Sequence, residues 1–132
     1  MEGVFLDERR LELERSHGIW PDRVVTDYFD RWVADRPGDT AIIAFRDEDA
    51  TTTRITWVEL ARTVTAIAHG LAKCGVAKGD VVSFQLPNWW EFVAVHLACV
   101  RIGAVSNPLM PIFRHRELSF MVAHAESKVL IA

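Results

Sequence analysis

The stretch VVSFQLPNWWEFVAVHLACVRIGAV, residues 81–105, decides the fold class. Its first six residues, 81–86, form a short apolar run that is typical of a buried strand. The segment 89–102 is apolar on almost every side, which predicts a helix covered by several other elements, and 104–107 predicts the next strand. Gly103 can end the helix, because a residue without Cβ adopts a left-handed conformation at little cost. A strand, a helix and a strand in this order predict a parallel pair joined by a helical crossover.

Downstream, the alternation of helix and strand continues. Apolar residues at helical spacing, among them Leu118 and Met121, predict another helix, and residues 129–131 begin a further strand. Within the central stretch, Asn88 followed by Glu91 predicts the cap at the start of the 89–102 helix. These alternating elements predict a layered α/β fold with a mostly parallel sheet and crossover helices.

Upstream, the sequence carries clear signals for element ends. Thr56 followed by Glu59 matches a capping box, in which hydroxyl and carboxylate each satisfy a free backbone N–H, so a helix should begin directly after Thr56. A short apolar run at 41–45 and a second strand at 54–55 flank a polar segment, which predicts a hairpin. Residues 25–33 place their apolar side chains at helical spacing and predict an amphipathic helix.

Composition and charge exclude several classes of protein. Half of the 132 residues are apolar and the formal net charge is −3, which is typical of a globular protein with no electrostatic footprint for nucleic acid. The most apolar run, 92–100, is far shorter than the roughly 20 residues of a membrane span. Cys74 and Cys99 form no disulfide framework, and the N-terminus has no apolar signal segment. The sequence therefore predicts a cytoplasmic protein with no membrane span.

Four motifs in chain order resemble the amino-terminal part of the adenylate-forming (AMP-binding) enzymes, and within them the acyl-CoA synthetases. These motifs are ITWVEL at 55–60, GV with GDVV at 75–76 and 79–82, QLPNWWEF at 85–92, and VRIGAVSNPL at 100–109. The segment NPLMPI at 107–112, followed by REL at 116–118, is most similar to the branch that includes cyclohexanecarboxylate-CoA ligase and the medium-chain or fatty acyl-CoA ligases.

The resemblance covers residues 25–132 and implies an incomplete, truncated N-terminal subdomain of the large adenylate-forming domain, with 1–24 as an N-terminal extension. It implies that the complete parent is a ligase of fatty acid metabolism that uses ATP, magnesium and CoA. A carboxylate would attack the α-phosphorus of ATP, and the sulfur of CoA would then displace AMP from the acyl-adenylate. The remainder of the synthetase domain is the implied partner of this chain.

The residues that perform this chemistry are not found in the sequence. Binding a triphosphate calls for a glycine-rich loop whose backbone N–H groups surround the phosphates. The seven glycines stand isolated at 3, 18, 38, 70, 75, 79 and 103. The resemblance implies that the phosphate loop and the catalytic lysine lie outside these 132 residues. We therefore predict no catalytic residue and no cofactor in this chain, and no activity for the chain alone.

One loop carries a candidate binding site. Residues 110–116 leave the carboxyl end of a predicted strand, where ligands of parallel sheets bind, and contain Arg114 and Arg116. The resemblance implies that this neighbourhood approaches the CoA and acyl side, so that either arginine could contact a CoA phosphate. The alternative is a solvated helix start with Arg116 beside Glu117.

Other constellations favour packing over chemistry. His96 and Cys99 lie three residues apart and could share a helix face, but no third or fourth ligand is near, so packing is favoured over a metal site. Trp89 and Trp90 at a helix start are typical of a packing layer. One alternative to an enzyme fragment is a stand-alone α/β interaction module without catalysis. A second is a small Rossmann-type nucleotide-binding protein, but such a protein needs a Gly-x-Gly-x-x-Gly turn, which this sequence does not contain.

Overall fold

The computed structural model describes residues 7–19, 23–47 and 50–132. Helices and strands alternate over most of this part of the chain. In chain order they are α1 (Glu8–Ser16), α2 (Val25–Asp35), β1 (Thr40–Arg46), β2 (Thr51–Thr56), α3 (Trp57–Lys73), β3 (Val81–Phe84), α4 (Trp90–Ile102), β4 (Val105–Pro108), α5 (His115–His124) and β5 (Ser127–Ile131). None of the helices in the described ranges is long and apolar enough to cross a membrane.

The predicted parallel sheet is confirmed, and its strand order is β4-β3-β5. The chain passes from β3 to β4 through α4, and then returns past β3 to β5 through α5. Because crossovers between parallel strands are right-handed, two crossovers in opposite directions place α4 and α5 on opposite faces of the sheet. The predicted hairpin is also confirmed: β1 and β2 pair antiparallel and form a separate two-stranded sheet.

Two apolar clusters form the core, and α4 contributes to both. The first cluster lies between α2, the hairpin, α3 and α4, and its buried members are Phe29, Ile55, Leu60, Val64, Ala68, Ala94, Leu97 and Ala98. The second joins α3 and α4 to the parallel sheet through Leu71, Val76, Val82, Phe84, Val95, Cys99 and Ala104. The prediction that the 89–102 helix is covered on several sides is therefore confirmed.

The start of α3 has the predicted capping box. The Glu59 backbone N–H donates to Thr56 Oγ1 at 3.3 Å, and the Thr56 backbone N–H donates to Glu59 Oε2 at 2.8 Å. Both free donors are therefore satisfied without water. The hydrogen bond from the Thr56 backbone is the main reason that the pKa of Glu59 lies below its ordinary value.

Thr56→Ala should destabilise the protein through this cap. The substitution removes the hydroxyl that accepts from the Glu59 N–H, so the free energy of unfolding should fall by about 0.5–2 kcal/mol, measured by urea denaturation. Thr65→Ala is the matched control, because the Thr65 hydroxyl only donates to the Ala61 carbonyl within α3. Equal losses in the two variants would contradict a specific role for the cap.

The start of α4 differs from the prediction. The N-cap is Trp89, with no side-chain hydrogen bond to the helix, and Asn88 lies one residue outside it. The reason is a long-range contact from the hairpin. The Arg46 guanidinium lies 4.5 Å from the Trp89 ring centroid and 3.6 Å from Glu91 Oε1. The Glu91 carboxylate thus pairs with Arg46 and does not complete a cap with Asn88.

Candidate functional site

The carboxyl ends of the three parallel strands meet at one edge of the sheet. At this edge the Gln85 backbone N–H, just after β3, donates to the Ile131 carbonyl at 2.8 Å. The Leu109 backbone N–H, just after β4, donates to the Phe84 carbonyl at 2.8 Å. We call the segment 109–114, which connects β4 to α5, the edge loop. Parallel α/β sheets bind ligands at this edge, so the edge loop is a candidate binding site.

The side chain of Gln85 fixes the edge loop. Its Nε2 atom donates to the Met110 carbonyl at 2.9 Å and to the Phe113 carbonyl at 3.0 Å. One amide group thus uses both of its hydrogen atoms on two carbonyls three residues apart. This clamp joins the end of the central strand β3 to the loop that leaves its neighbour β4. No local pattern indicates this role of Gln85, because its partners lie 25 and 28 residues away along the chain.

Arg114 and Arg116, the two predicted site residues, have different environments. The Arg114 guanidinium turns back onto the edge loop, where Nη1 donates to the Pro111 carbonyl at 2.8 Å and to the Phe113 carbonyl at 3.1 Å. Arg116, in the first turn of α5, is exposed, and its side chain has no hydrogen bond or ion pair within the described residues. Of the two cations, Arg116 is therefore the one whose guanidinium is free for a ligand.

Glu117 completes the start of α5. Its Oε2 atom accepts from the Arg114 backbone N–H at 3.0 Å, and this hydrogen bond is the main cause that lowers the pKa of Glu117 below its ordinary value. The carboxylate thus caps the helix, and no ion pair between it and Arg116 is present among the described residues. Because the folded-state pKa is depressed, the stabilisation is present above the unfolded pKa and is lost as the pH falls through the folded pKa.

A cavity of about 320 Å³ lies beside the edge loop, and we call it the edge cavity. It is bounded by the end of β4, the edge loop and α5. The Phe120 and His124 rings on α5 stack with their centroids 5.4 Å apart. The other lining residues are Asn107, Pro108, Leu109, Met110, Phe113, Met121 and Ala125. A mostly apolar cavity with few polar groups is typical of a small-molecule site.

Beneath the sheet edge lies a buried polar network that the sequence analysis missed. Ser83, at the centre of β3, is fully buried. Its Oγ atom accepts from Asn107 Nδ2 at 2.9 Å and shares a hydrogen bond with Ser127 Oγ at 2.6 Å. The network joins all three strands through their side chains. The available signal was a polar residue within each of the predicted strands 81–86 and 104–107, since buried polar groups require partners. Ser127 lies before the predicted strand 129–131 and carried no such signal.

His96 and Cys99 do not form a common site. His96 Nδ1 lies 2.8 Å from Ser106 Oγ, which links α4 to β4 at the surface. Cys99 is fully buried in the second cluster, and burial raises the pKa of its thiol. The prediction that Cys99 is a packing residue is confirmed. Across residues 7–19, 23–47 and 50–132, no group of three or more His, Cys, Asp or Glu side chains could hold a metal ion.

Trp89 and Trp90 make different contacts. Trp90 packs against the first core cluster, as the sequence predicts for a packing layer. Trp89 is half-buried and lies beneath the Arg46 guanidinium. A cation above an indole face gains electrostatic attraction in addition to the buried area. The pair therefore joins the hairpin to the start of α4.

Comparison with known proteins finds relatives that share one family. The sequence profile described as AMP-binding enzyme matches residues 29–132. The medium-chain fatty-acid–CoA ligase of Escherichia coli is 32% identical over 126 residues, which cover 96% of this chain and 21% of the relative. An acetyl-coenzyme A synthetase of Coprinopsis cinerea is 42% identical over 102 residues, 77% of this chain and 15% of the relative.

Solved structures agree with the sequence relatives. Acetoacetyl-CoA synthetase from Streptomyces lividans matches with a TM-score of 0.72 and 33% identity, over 79% of this chain and 16% of that chain. The fold and its edge define an α/β subdomain of an adenylate-forming enzyme. The chain belongs to the AMP-binding enzyme family. It spans about a fifth of the length of the Escherichia coli relative.

Proposed function

We propose that this chain provides the N-terminal scaffold of an ATP-dependent acyl-CoA synthetase. The match of residues 29–132 to the AMP-binding family carries this proposal, supported by relatives that are CoA ligases and synthetases. The reaction joins a carboxylate to CoA in two displacements. A carboxylate oxygen bonds to the α-phosphorus as pyrophosphate leaves, and the CoA sulfur then bonds to the acyl carbon as AMP leaves.

The described residues do not fit ATP with magnesium. The sequence has no glycine-rich phosphate loop, and no cluster of acidic or histidine side chains in the described ranges could hold the metal. We therefore assign no step of adenylate formation to this chain. Its proposed contribution is to hold the sheet edge and the edge loop in place for the rest of the enzyme, in the cytoplasm.

We assign the proposed CoA contact to the edge loop and α5. Arg116 is the better phosphate ligand, because its guanidinium is exposed and forms no ion pair within the described residues, so it can bind a phosphate by charge-assisted hydrogen bonds. Arg114 acts through the loop, since its guanidinium holds the Pro111 and Phe113 carbonyls. The edge cavity would take an apolar part of the substrate next to that phosphate.

The stand-alone interaction module is the second candidate, and exposed apolar side chains favour a partner for the same region. Ile112 in the edge loop and Phe120 on α5 are 70% and 68% exposed, and Leu130 on β5 is also exposed. Contiguous exposed apolar residues mark interaction surfaces. As a stand-alone module, the chain would bind a separate partner protein through this surface, whereas in the scaffold function the same surface would contact the remainder of the synthetase domain.

The purified chain should be inactive by itself. We expect no ATP–pyrophosphate exchange with octanoate, acetate or salicylate. The positive control is a chimera in which this chain replaces the matched segment of the Escherichia coli medium-chain ligase, and the chimera should form acyl-CoA. Exchange by the isolated chain would contradict a scaffold without catalytic residues.

Within an active chimera, Arg116→Ala should raise the KM for CoA by roughly tenfold, because one charge-assisted hydrogen bond is lost. The KM for ATP should stay unchanged. Arg9→Ala, on the exposed helix α1, is the matched control for loss of one exposed guanidinium. An unchanged KM for CoA in Arg116→Ala would remove the CoA assignment while leaving the scaffold proposal intact.

A further inference from the structure

A second cavity lies on the side of α3 and α4 that faces away from the parallel sheet. It has a volume of about 270 Å³ and is lined by residues of α2, β1, α3 and α4, and we call it the α2 cavity. Phe29 and Leu60 in its wall are almost fully buried. Val25, Tyr28 and Val93 also line it and are 48%, 44% and 39% exposed, so they form its mouth. The cavity therefore combines a buried interior with an opening to solvent.

Aromatic rings that contact each other form one wall of the α2 cavity. Trp57 and Trp32 stack with centroids 6.0 Å apart and an angle of 16° between their planes. Trp57 also meets Phe29, with centroids 6.0 Å apart at 58°. The Arg36 guanidinium lies 4.8 Å from the centroid of the Trp32 ring. Rings held by several contacts lose little freedom when a ligand packs against them, which favours binding.

The lining determines the chemistry of the ligand. Apart from the Tyr28 hydroxyl and the two indole N–H groups, the lining side chains that the structure describes are hydrocarbon, and none is charged. Arg101 on α4 pairs with Asp30 on α2, so these neighbouring charges neutralise each other. An anion in the cavity would lose much of its hydration and would find no charged side chain in the lining, which is costly. The lining therefore favours an uncharged ligand.

We propose that the α2 cavity binds a small uncharged aromatic or alicyclic molecule. An apolar cavity of roughly 150 Å³ can hold a benzene ring, so the α2 cavity has room for a ring with a short substituent. This site is separate from the proposed CoA side, because α4 lies between the α2 cavity and the second core cluster beneath the sheet. A failure to bind the ligand in the α2 cavity would therefore leave the proposed scaffold function unaffected.

The direct test is calorimetric titration of the whole 132-residue chain with toluene, and with benzoate as a charged counterpart of similar size. We expect saturable binding of toluene at one site per chain and no saturable binding of benzoate. Toluene should also raise the thermal midpoint of the chain, because a ligand that binds only the folded state stabilises it.

Two variants that fill the cavity locate the site. Ala41→Leu adds three carbons to the wall, and Val93→Phe places a ring at the mouth. Each should weaken toluene binding by more than roughly tenfold, because the added atoms occupy the ligand volume. Ala72→Leu, the same chemical change at an exposed position of α3, should leave the affinity unchanged. Circular dichroism checks that each variant is folded, and Val93→Phe serves if Ala41→Leu does not fold.

Several outcomes would overturn the proposal. One is the absence of toluene binding by the folded chain, and another is equal affinity in the filled variants and in Ala72→Leu. Benzoate binding as tight as that of toluene would also overturn it. A chain that sediments as a dimer and becomes a monomer in Val93→Phe would assign the cavity to a second copy of the chain.

Discussion

Phe84→Ala will lower the free energy of unfolding by about 3–5 kcal/mol, because it removes a fully buried ring from the centre of the second core cluster. Phe84 ends β3, the middle strand, and its ring forms a T-shaped pair with Phe92, with centroids 5.0 Å apart. The cavity left behind would be bounded by the sheet on one side and α4 on the other. Neither can collapse far into it without breaking the strand pairing, so the loss should lie at the upper end for a core residue.

Phe120→Ala is the matched control for Phe84→Ala. It makes the same chemical change on α5, where the ring is 68% exposed, and it should change the free energy of unfolding by less than about 0.5 kcal/mol. Urea denaturation followed by tryptophan fluorescence and circular dichroism measures both variants. Similar losses in the two variants would contradict the burial of Phe84 in the second core cluster.

Ser83→Ala has the second largest expected effect, a loss of about 1–3 kcal/mol in the free energy of unfolding. The substitution removes few atoms, so the cost comes from the partners it leaves behind. Asn107 Nδ2 loses an acceptor, and Ser127 Oγ loses its partner, beside the fully buried position of Ser83. The effect should exceed that of Ser119→Ala, whose exposed hydroxyl donates to the His115 carbonyl within α5.

A double-mutant cycle separates the network from simple loss of volume. If the Ser83–Ser127 hydrogen bond holds β5 against β3, then Ser83→Ala and Ser127→Ala should not add, and the double variant should be more stable than the sum of the single losses implies. Strict additivity would contradict the network. Because β5 is anchored to the sheet only through β3 in the described residues, the same variants should also speed amide exchange in β5.

Local patterns predicted those features whose causes lie within a few residues. The capping box of Thr56 and Glu59 satisfies donors that are three residues apart, so its geometry follows from the sequence alone. Gly103 has a φ of 72°, as expected for a glycine that ends a helix. The 89–102 segment is apolar on almost every side, and this pattern alone predicted that other elements pack against several of its faces. The parallel sheet followed from the alternation of such segments.

Long-range contacts decided the features that the sequence did not predict. Arg46 lies 45 residues before Glu91 along the chain, yet it takes the carboxylate that the local pattern assigned to a cap with Asn88. The amide of Gln85 and the guanidinium of Arg114 both hold the Phe113 carbonyl, which no spacing rule indicates. Of the two predicted site residues, Arg114 therefore holds the edge loop, and Arg116 has an exposed guanidinium.

The class of the fold, both ends of α3, the C-terminal end of α4 and the resemblance to AMP-binding enzymes followed from local sequence, because helix caps, apolar periodicity and motif order are properties of neighbouring residues. The strand order β4-β3-β5, the burial of Ser83 and the two cavities arise from contacts between distant parts of the chain. The physical reason is that periodicity shows which face of an element is apolar, whereas the partner of that face depends on how the crossovers return to the sheet.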